Sequence, residues 1–377
     1  MNSGVSYHEG VTAAEAAIVL KPLLDDNHSA RFFADPTAWT LMKQASRMHG
    51  MANLLAAAGR LHSPPEERGW CDATLASGWS RHNRNLMHLE EAVTRLAKIG
   101  IQPMALKGPL LAQRYYAPPF LRKPSVDLDI AVRACEVGRA CETFLDEGYT
   151  IDGSLAETLD VDHHLTLLHP EKPRLELHFR LSHRSLGLEV EEFLKRAQPH
   201  RLPGGGAMLI PAPADEIFHL MLHVVQDRFA MLFHLYELRL VCRKLGPEAV
   251  REAIGIAVKR RFAGAVAITD VAFRTHLGEP FIPEGTELPL TWRHREITPQ
   301  LLARMESGTV GGTAALTLGR RLAARWIEFQ LTDRPSDALR FATSFLKTAG
   351  HGLRNRRWGA VKVMRYASAD GRASAKP

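Results

Sequence analysis

The stretch Ala105–Val132, "ALKGPLLAQRYYAPPFLRKPSVDLDIAV", decides how the chain is read. Its last part, residues 124–132, "PSVDLDIAV", has the alternation of a β-strand, with Leu128, Ile130 and Val132 on one face and Asp127 and Asp129 on the other. Two strand positions of one face lie roughly 7 Å apart, so the two carboxylates repel each other. A divalent cation between them relieves that repulsion, and so does solvent over an edge strand. Upstream, "QPMALKG" (102–108) reads as a strand that ends at Lys107-Gly108, and "PLLAQRYY" (109–116) as the helix that follows. Pro109 fits the first helical turn, where a missing N–H costs nothing. A turn from strand into helix brings backbone N–H groups towards a phosphate, and Lys107 adds a point charge there.

Downstream, "RLELHFRL" (174–181) reads as another strand, with Glu176 and His178 on one face and Leu175 and Leu177 on the other. Glu176 thus offers a third carboxylate, or is an exposed strand residue, and His178 beside it reads as a structural histidine or as one that orients Glu176 by a hydrogen bond. Carboxylates are hard oxygen ligands of the kind Mg²⁺ takes together with phosphate and water. Three acids beside a phosphate cradle suit two-metal phosphoryl chemistry. Arg122 and Lys123, in the loop before the acidic strand, are candidate clamps for a triphosphate, or solvated loop charges.

Away from this stretch the texture changes twice. Residues 11–61 and about 75–99 carry helical periodicity, and Gly100 suits the end of the second helix. From Ile101 short apolar runs alternate with helices, the pattern of an α+β or α/β unit. "QPHRLPGGGAMLIPAP" (198–213) reads as a Pro/Gly-rich connector, after which helical patterns resume from Ala214 to about His276 and, more weakly, over 297–348. The expected organisation is an N-terminal helical region (1–85), an α/β core (86–204), a C-terminal helical domain (205–350) and a basic tail (351–377).

The bulk numbers agree with a globular chain. Its 377 residues are 45% hydrophobic and 24% charged, which excludes a disordered or membrane-spanning composition. No apolar run approaches the roughly 20 residues of a membrane span, and the N-terminus lacks a signal-peptide layout, so a cytoplasmic location is expected. The four cysteines, Cys71, Cys135, Cys141 and Cys242, have no paired spacing and read as free thiols. Lys and Arg exceed Asp and Glu by 48 to 41. Part of the excess sits in the tail, which offers a surface for an anionic partner or only a solubilising terminus.

"ALKGPLLAQRYYAPPFLRKPSVDLDIAV", followed about fifty residues on by "LELHFRL", resembles the bacterial uncharacterised nucleotidyltransferase family within the DNA polymerase β-like nucleotidyltransferase superfamily. The resemblance runs over roughly residues 85–245 and includes the histidine-containing "PADEIFHLMLHVVQD". It implies an α+β fold, the minimal nucleotidyltransferase mixed sheet flanked by helices. It implies Asp127 and Asp129 as the metal pair, Glu176 as the third acid and Gly108 in the triphosphate turn. The implied activity moves an NMP from an NTP, such as ATP, to an acceptor with release of pyrophosphate, using one or two Mg²⁺ ions, with Mn²⁺ as a substitute. The acceptor, whether protein, small molecule or RNA end, is not specified. Pro109 departs from the Ser or Gly that many members carry there and brings neither hydroxyl nor N–H to the turn. That departure keeps a catalytically silent nucleotide-binding or partner-docking protein as the alternative.

Further along, His219, His223 and Asp227 follow one another at helical spacing on one face, which permits a metal triad. No Glu completes an H-E-x-x-H arrangement, so these residues read as helix packing or as cleft lining, with His223 a possible outer partner of the acidic site. Glu237 reads as a partner for a basic loop or as a solvated acid.

Overall fold

The computed structural model describes residues 12–25, 33–153, 155, 159, 163–181, 188–289 and 302. The basic tail and nearly all of the helical patterns expected after residue 297 lie outside the described residues. The seven strands among these are β1 (Met104–Ala105), β2 (Asp127–Ala131), β3 (Thr150–Ile151), β4 (His164–Leu168), β5 (Arg174–His178), β6 (Gln198–Arg201) and β7 (Ala207–Ile210). They form one mixed sheet in the order β3-β4-β5-β2-β1-β7-β6. Helices precede the sheet in sequence, from Ala13–Val19 to Arg68–Lys98, and follow it, from Pro213–Gln226 to Ala263–Ala272. The fold is α+β, as expected.

Strand alternation sorts the two sheet faces chemically. Leu128, Ile130 and Val132, with Leu165, Leu167, Leu175 and Leu177 of the neighbouring strands, are buried in one core. Leu89 to Leu96 of the Arg68–Lys98 helix and Val137 to Phe144 of the Val137–Leu145 helix close that core. Each fully buried Leu or Ile there contributes about 1.5–3 kcal/mol of transfer free energy, which fixes β2 against slipping by one residue, since a slip would exchange its two faces. The polar face carries Asp127 and Asp129, and Ala131 on that face joins a second core with Ile217, Leu220 and Leu238 of the C-terminal helices.

Two sequence expectations change. The acidic strand is no edge: β2 pairs in parallel with β5 and antiparallel with β1. Solvent over an edge therefore does not relieve its carboxylates. The 198–213 stretch is a β-hairpin rather than a plain connector, with β6 antiparallel to β7 and β7 parallel to β1. The strand expected over 102–108 shrinks to β1 because Pro103 has no N–H to donate and Lys107-Gly108 turns out of the ladder, Gly108 at φ 67°. Its Cβ, were it another residue, would sit 3.1 Å from Ser125 Oγ, so both the backbone angle and the space call for glycine.

The loop entering β2 is pinned from three sides. Asn53 Nδ2 of the Ala52–Gly59 helix donates to the Phe120 carbonyl at 2.7 Å, and Asn85 Nδ2 of the long helix donates to the Ser125 carbonyl at 2.8 Å. From the Leu232–Leu245 helix, Glu237 receives Nε and Nη2 of Arg122 at 2.6 and 3.0 Å, with both side chains buried. Removing one member of a buried ion pair strands the other charge, at a cost of about 3–5 kcal/mol. Glu237→Ala is therefore expected to lower the free energy of unfolding by that amount in urea titration. A loss below about 1 kcal/mol would mean that Arg122 finds solvent and does not anchor the loop.

Candidate active site

The acidic face is assembled by register. β2 and β5 run parallel with Asp127 beside Arg174 and Asp129 beside Glu176. Arg174, Glu176 and His178 alternate onto the same face as the two aspartates, so three acids and two basic groups share one patch of sheet. Ligand atoms of Asp129, Glu176 and His178 lie within 4.8 Å of one another, close enough for a single cation to bridge them.

Each acid has a counter-charge. Lys107 Nζ lies 3.1 Å and His178 Nε2 3.0 Å from Asp129 Oδ1, while Arg174 Nη2 donates to Asp127 Oδ2 at 2.9 Å. Glu176 has Arg174 Nε at 3.5 Å, His178 Nε2 at 3.7 Å and His164 Nε2 at 3.8 Å. The titration behaviour follows. Burial alone would raise the Asp129 carboxyl, but Lys107 and His178 outweigh it and hold the group well below the usual carboxylate range. Asp127 goes the other way: burial, with Asp129 and Glu176 as like-charged neighbours, raises it against the pull of Arg174. Glu176 is lowered because His178 and His164 outweigh burial. Burial would lower Lys107 and His178, yet the acids beside them win, so both are raised.

Beside the aspartates opens a cleft of about 270 Å³. Its sheet-side wall is Lys107, Gly108, the Arg122–Asp127 segment and Asp129; its other wall is His223, Asp227, Phe233 and His234. The volume is near the lower end for a small-molecule site. Lys123 reaches the cleft by passing Gly50, whose backbone at φ 73° leaves no room for a side chain: a Cβ there would lie 2.8 Å from Lys123 Cδ.

Asp127, Asp129, Lys107, Gly108, Arg122 and Lys123 all line this cleft. Glu176 stands on the neighbouring strand at the level of Asp129. Arg122 differs from the expectation in its engagement: its guanidinium is taken up by Glu237, Ser125 Oγ and the Lys123 carbonyl, which makes it an anchor of the loop. Glu237 is thereby the partner of a basic loop and not a solvated acid. His178 sits closer to Asp129 than to Glu176. His223 lies 3.5 Å from Asp227 Oδ2 on the far wall. His219 is buried, and burial with the Lys107 charge takes its imidazole down to about 3.

Sequence reading missed Arg174 and His234. The first was accessible, since position 174 shares the parity of 176 and 178 on one strand. The second was not, because the chain brings His234 back against Asp227 only through Arg228 and Phe229, both at positive φ without being glycine.

Among the described residues no helix is long and apolar enough to cross a membrane. None of the curated proteins compared matches this chain in sequence. Among solved structures, the solution structure of the antibiotic-resistance factor ANT(2'')-Ia is similar at 12% identity and a TM-score of 0.35, covering 47% of this chain and 92% of that one. A likeness at that level specifies neither fold nor activity. The model of the family described as "Uncharacterised nucleotidyltransferase" matches residues 35–262, a span that holds the whole sheet, the acidic patch and both walls of the cleft. The chain therefore belongs to the uncharacterised nucleotidyltransferase family.

Proposed function

We propose that the chain transfers an NMP from an NTP to an acceptor hydroxyl or similar group at the cleft beside Asp127 and Asp129, with pyrophosphate as the leaving group. The observation that carries this reading is the register of β2 and β5, which gathers Asp127, Asp129 and Glu176 on one face, with the two aspartates lining an open cleft. The donor set fits Mg²⁺: the acids are hard oxygen ligands, and Asp129 is already faced by two basic groups, the Lys107 ammonium and the His178 imidazole. Asp127 and Asp129 would hold the metal, with Glu176 completing a second position; Mn²⁺ meets the same ligand chemistry. Bound there, the metal supplies charge neutralisation for the transferring phosphoryl group.

The chain's own residues do the rest by positioning and charge. Lys107 lines the cleft and, with a cation held by Asp129, would be free to meet the β- and γ-phosphates. Lys123 stands on the same loop as a second positive group. Gly108 lets the backbone turn close to the phosphates. Asp127, whose carboxyl is raised by burial and by its acidic neighbours, and Glu176 are the groups from which the acceptor's base is drawn. Arg122 acts through the loop it anchors. The Leu232–Leu245 and Pro213–Gln226 helices form the acceptor side of the cleft.

A second reading, nucleotide binding without turnover, is favoured by Pro109, which is buried at the first turn of the helix and gives the phosphate cradle neither N–H nor hydroxyl. The two separate in one assay. With Mg²⁺, labelled NTPs and a cell extract as acceptor source, the wild type is expected to release pyrophosphate, and Asp127→Asn or Asp129→Asn to lose at least about 100-fold of that rate. Mg²⁺-dependent binding without pyrophosphate would select the silent reading. Equal, metal-independent nucleotide binding by wild type and both variants would defeat the metal assignment.

The same geometry makes His178 a reporter. Its imidazole is raised because Asp129 and Glu176 outweigh burial, so its stabilising contribution is complete below the ordinary value of 6.5 and is lost as pH rises through the higher folded value. A divalent cation on Asp129 competes for that carboxylate. Adding Mg²⁺, or making Asp129→Asn, is expected to lower the His178 titration midpoint in NMR. A midpoint that neither change moves would place the cation elsewhere.

A further inference from the structure

On the wall of the cleft opposite the aspartates, His223 and Asp227 occupy consecutive turns at the end of the Pro213–Gln226 helix, and His234 lies in the first turn of the Leu232–Leu245 helix. Their ligand atoms all fall within 4.8 Å of one another. Asp227 Oδ2 lies 2.9 Å from His234 Nδ1 and 3.5 Å from His223 Nε2, and the two imidazole rings sit 4.8 Å apart. A tetrahedral ion with bonds of about 2.0–2.1 Å separates its ligands by roughly 3.3 Å, and the two distances to Asp227 Oδ2 bracket that value, with the third pair inside 4.8 Å. The Asp227 carboxylate is thus in contact with the buried Nδ1 of His234, which has no other hydrogen-bond partner among the described residues.

The chain spends backbone strain to make this meeting. Arg228 and Phe229, with φ of 55° and 56°, reverse the chain between Asp227 and His234. The reversal is held by Arg228 N–H to the Val225 carbonyl, Phe229 N–H to Val224 and Ala230 N–H to Asp227. Phe229 is buried in the helical core, and Phe233 N–H donates to the His49 carbonyl, which fixes the start of the second helix. Consecutive non-glycine residues in the left-handed region are costly and persist where surrounding packing enforces them.

We propose that His223, Asp227 and His234 form a second metal site, for a zinc-class divalent cation, separate from the acidic patch and facing it across the cleft. Two imidazoles and one carboxylate suit zinc, cobalt(II) or a similar first-row ion better than Mg²⁺. Three protein ligands leave a coordination position open towards the cleft, for water or for an oxygen donor of a bound molecule. The site does not depend on nucleotidyl transfer.

The test uses the full chain stripped with a chelator and titrated with Zn²⁺, and with Co²⁺ for its visible d–d absorption. In the Asp127→Asn/Asp129→Asn double variant one ion per chain is expected, with a cobalt spectrum of nitrogen-containing low-coordinate ligation. Zn²⁺ is also expected to raise the melting temperature. His223→Ala and His234→Ala should each weaken Zn²⁺ binding by at least about tenfold, whereas the Asp127→Asn/Asp129→Asn double variant should leave it in place. Should His234→Ala fail to fold, the nearly isosteric Asp227→Asn gives the same reading. Absence of Zn²⁺ binding at micromolar ion, binding untouched by these substitutions, or binding lost in the double aspartate variant would each overturn the proposal.

Discussion

The parallel pairing of β2 with β5 is the constraint on which the rest hangs. Its register sets Asp129 beside Glu176 and Asp127 beside Arg174, in the middle of a seven-stranded sheet. A central strand cannot offload like charges to bulk water as an edge strand can. The repulsion is met locally, by Lys107 and His178 on Asp129 and by Arg174 on Asp127. Those three basic groups hold the carboxylates that the proposed metal ion would take.

The helices outside the sheet serve the site by holding one loop. Asn53 and Asn85 take the backbone of residues 120–125 from one side, and Glu237 takes Arg122 from the other. Gly78 belongs to the same device: a Cβ there would lie 2.5 Å from Asn53 Nδ2 and 3.2 Å from the Phe120 carbonyl, so the long helix needs a glycine where Asn53 passes. N-terminal and C-terminal helices thus converge on the segment that carries Lys123 and leads into Asp127. A basic residue next to an acidic strand need not touch substrate to matter; Arg122 shapes the cleft through the loop it fixes.

How much of this was legible in the chain depends on the range of each interaction. Alternation in "DLDIAV" and "RLELH" gave the faces of β2 and β5 correctly, because period two is local and the apolar partners Leu128, Ile130, Leu175 and Leu177 leave no other register. The Lys107-Gly108 turn was legible from an equally local signal, Gly108 followed by Pro109 at the first position of a helix. The 198–213 hairpin was not: Pro199, Pro203 and three consecutive glycines mask strands whose pairing with β1 is decided by tertiary contact. The engagement of Arg122 by Glu237, 115 residues away, was equally out of reach. His234 joined Asp227 only through a strained reversal that no local pattern announces.

The most direct measurement is a crystal of the chain grown with Mn²⁺ and a non-hydrolysable NTP analogue, read by anomalous scattering. An anomalous peak coordinated by Asp127 and Asp129, with Lys107 Nζ moved from Asp129 Oδ1 onto a phosphate oxygen, is the expected result. A triphosphate bound elsewhere, with Lys107 and His178 still closed on Asp129, would contradict the assignment of this acidic face as the metal and nucleotide site.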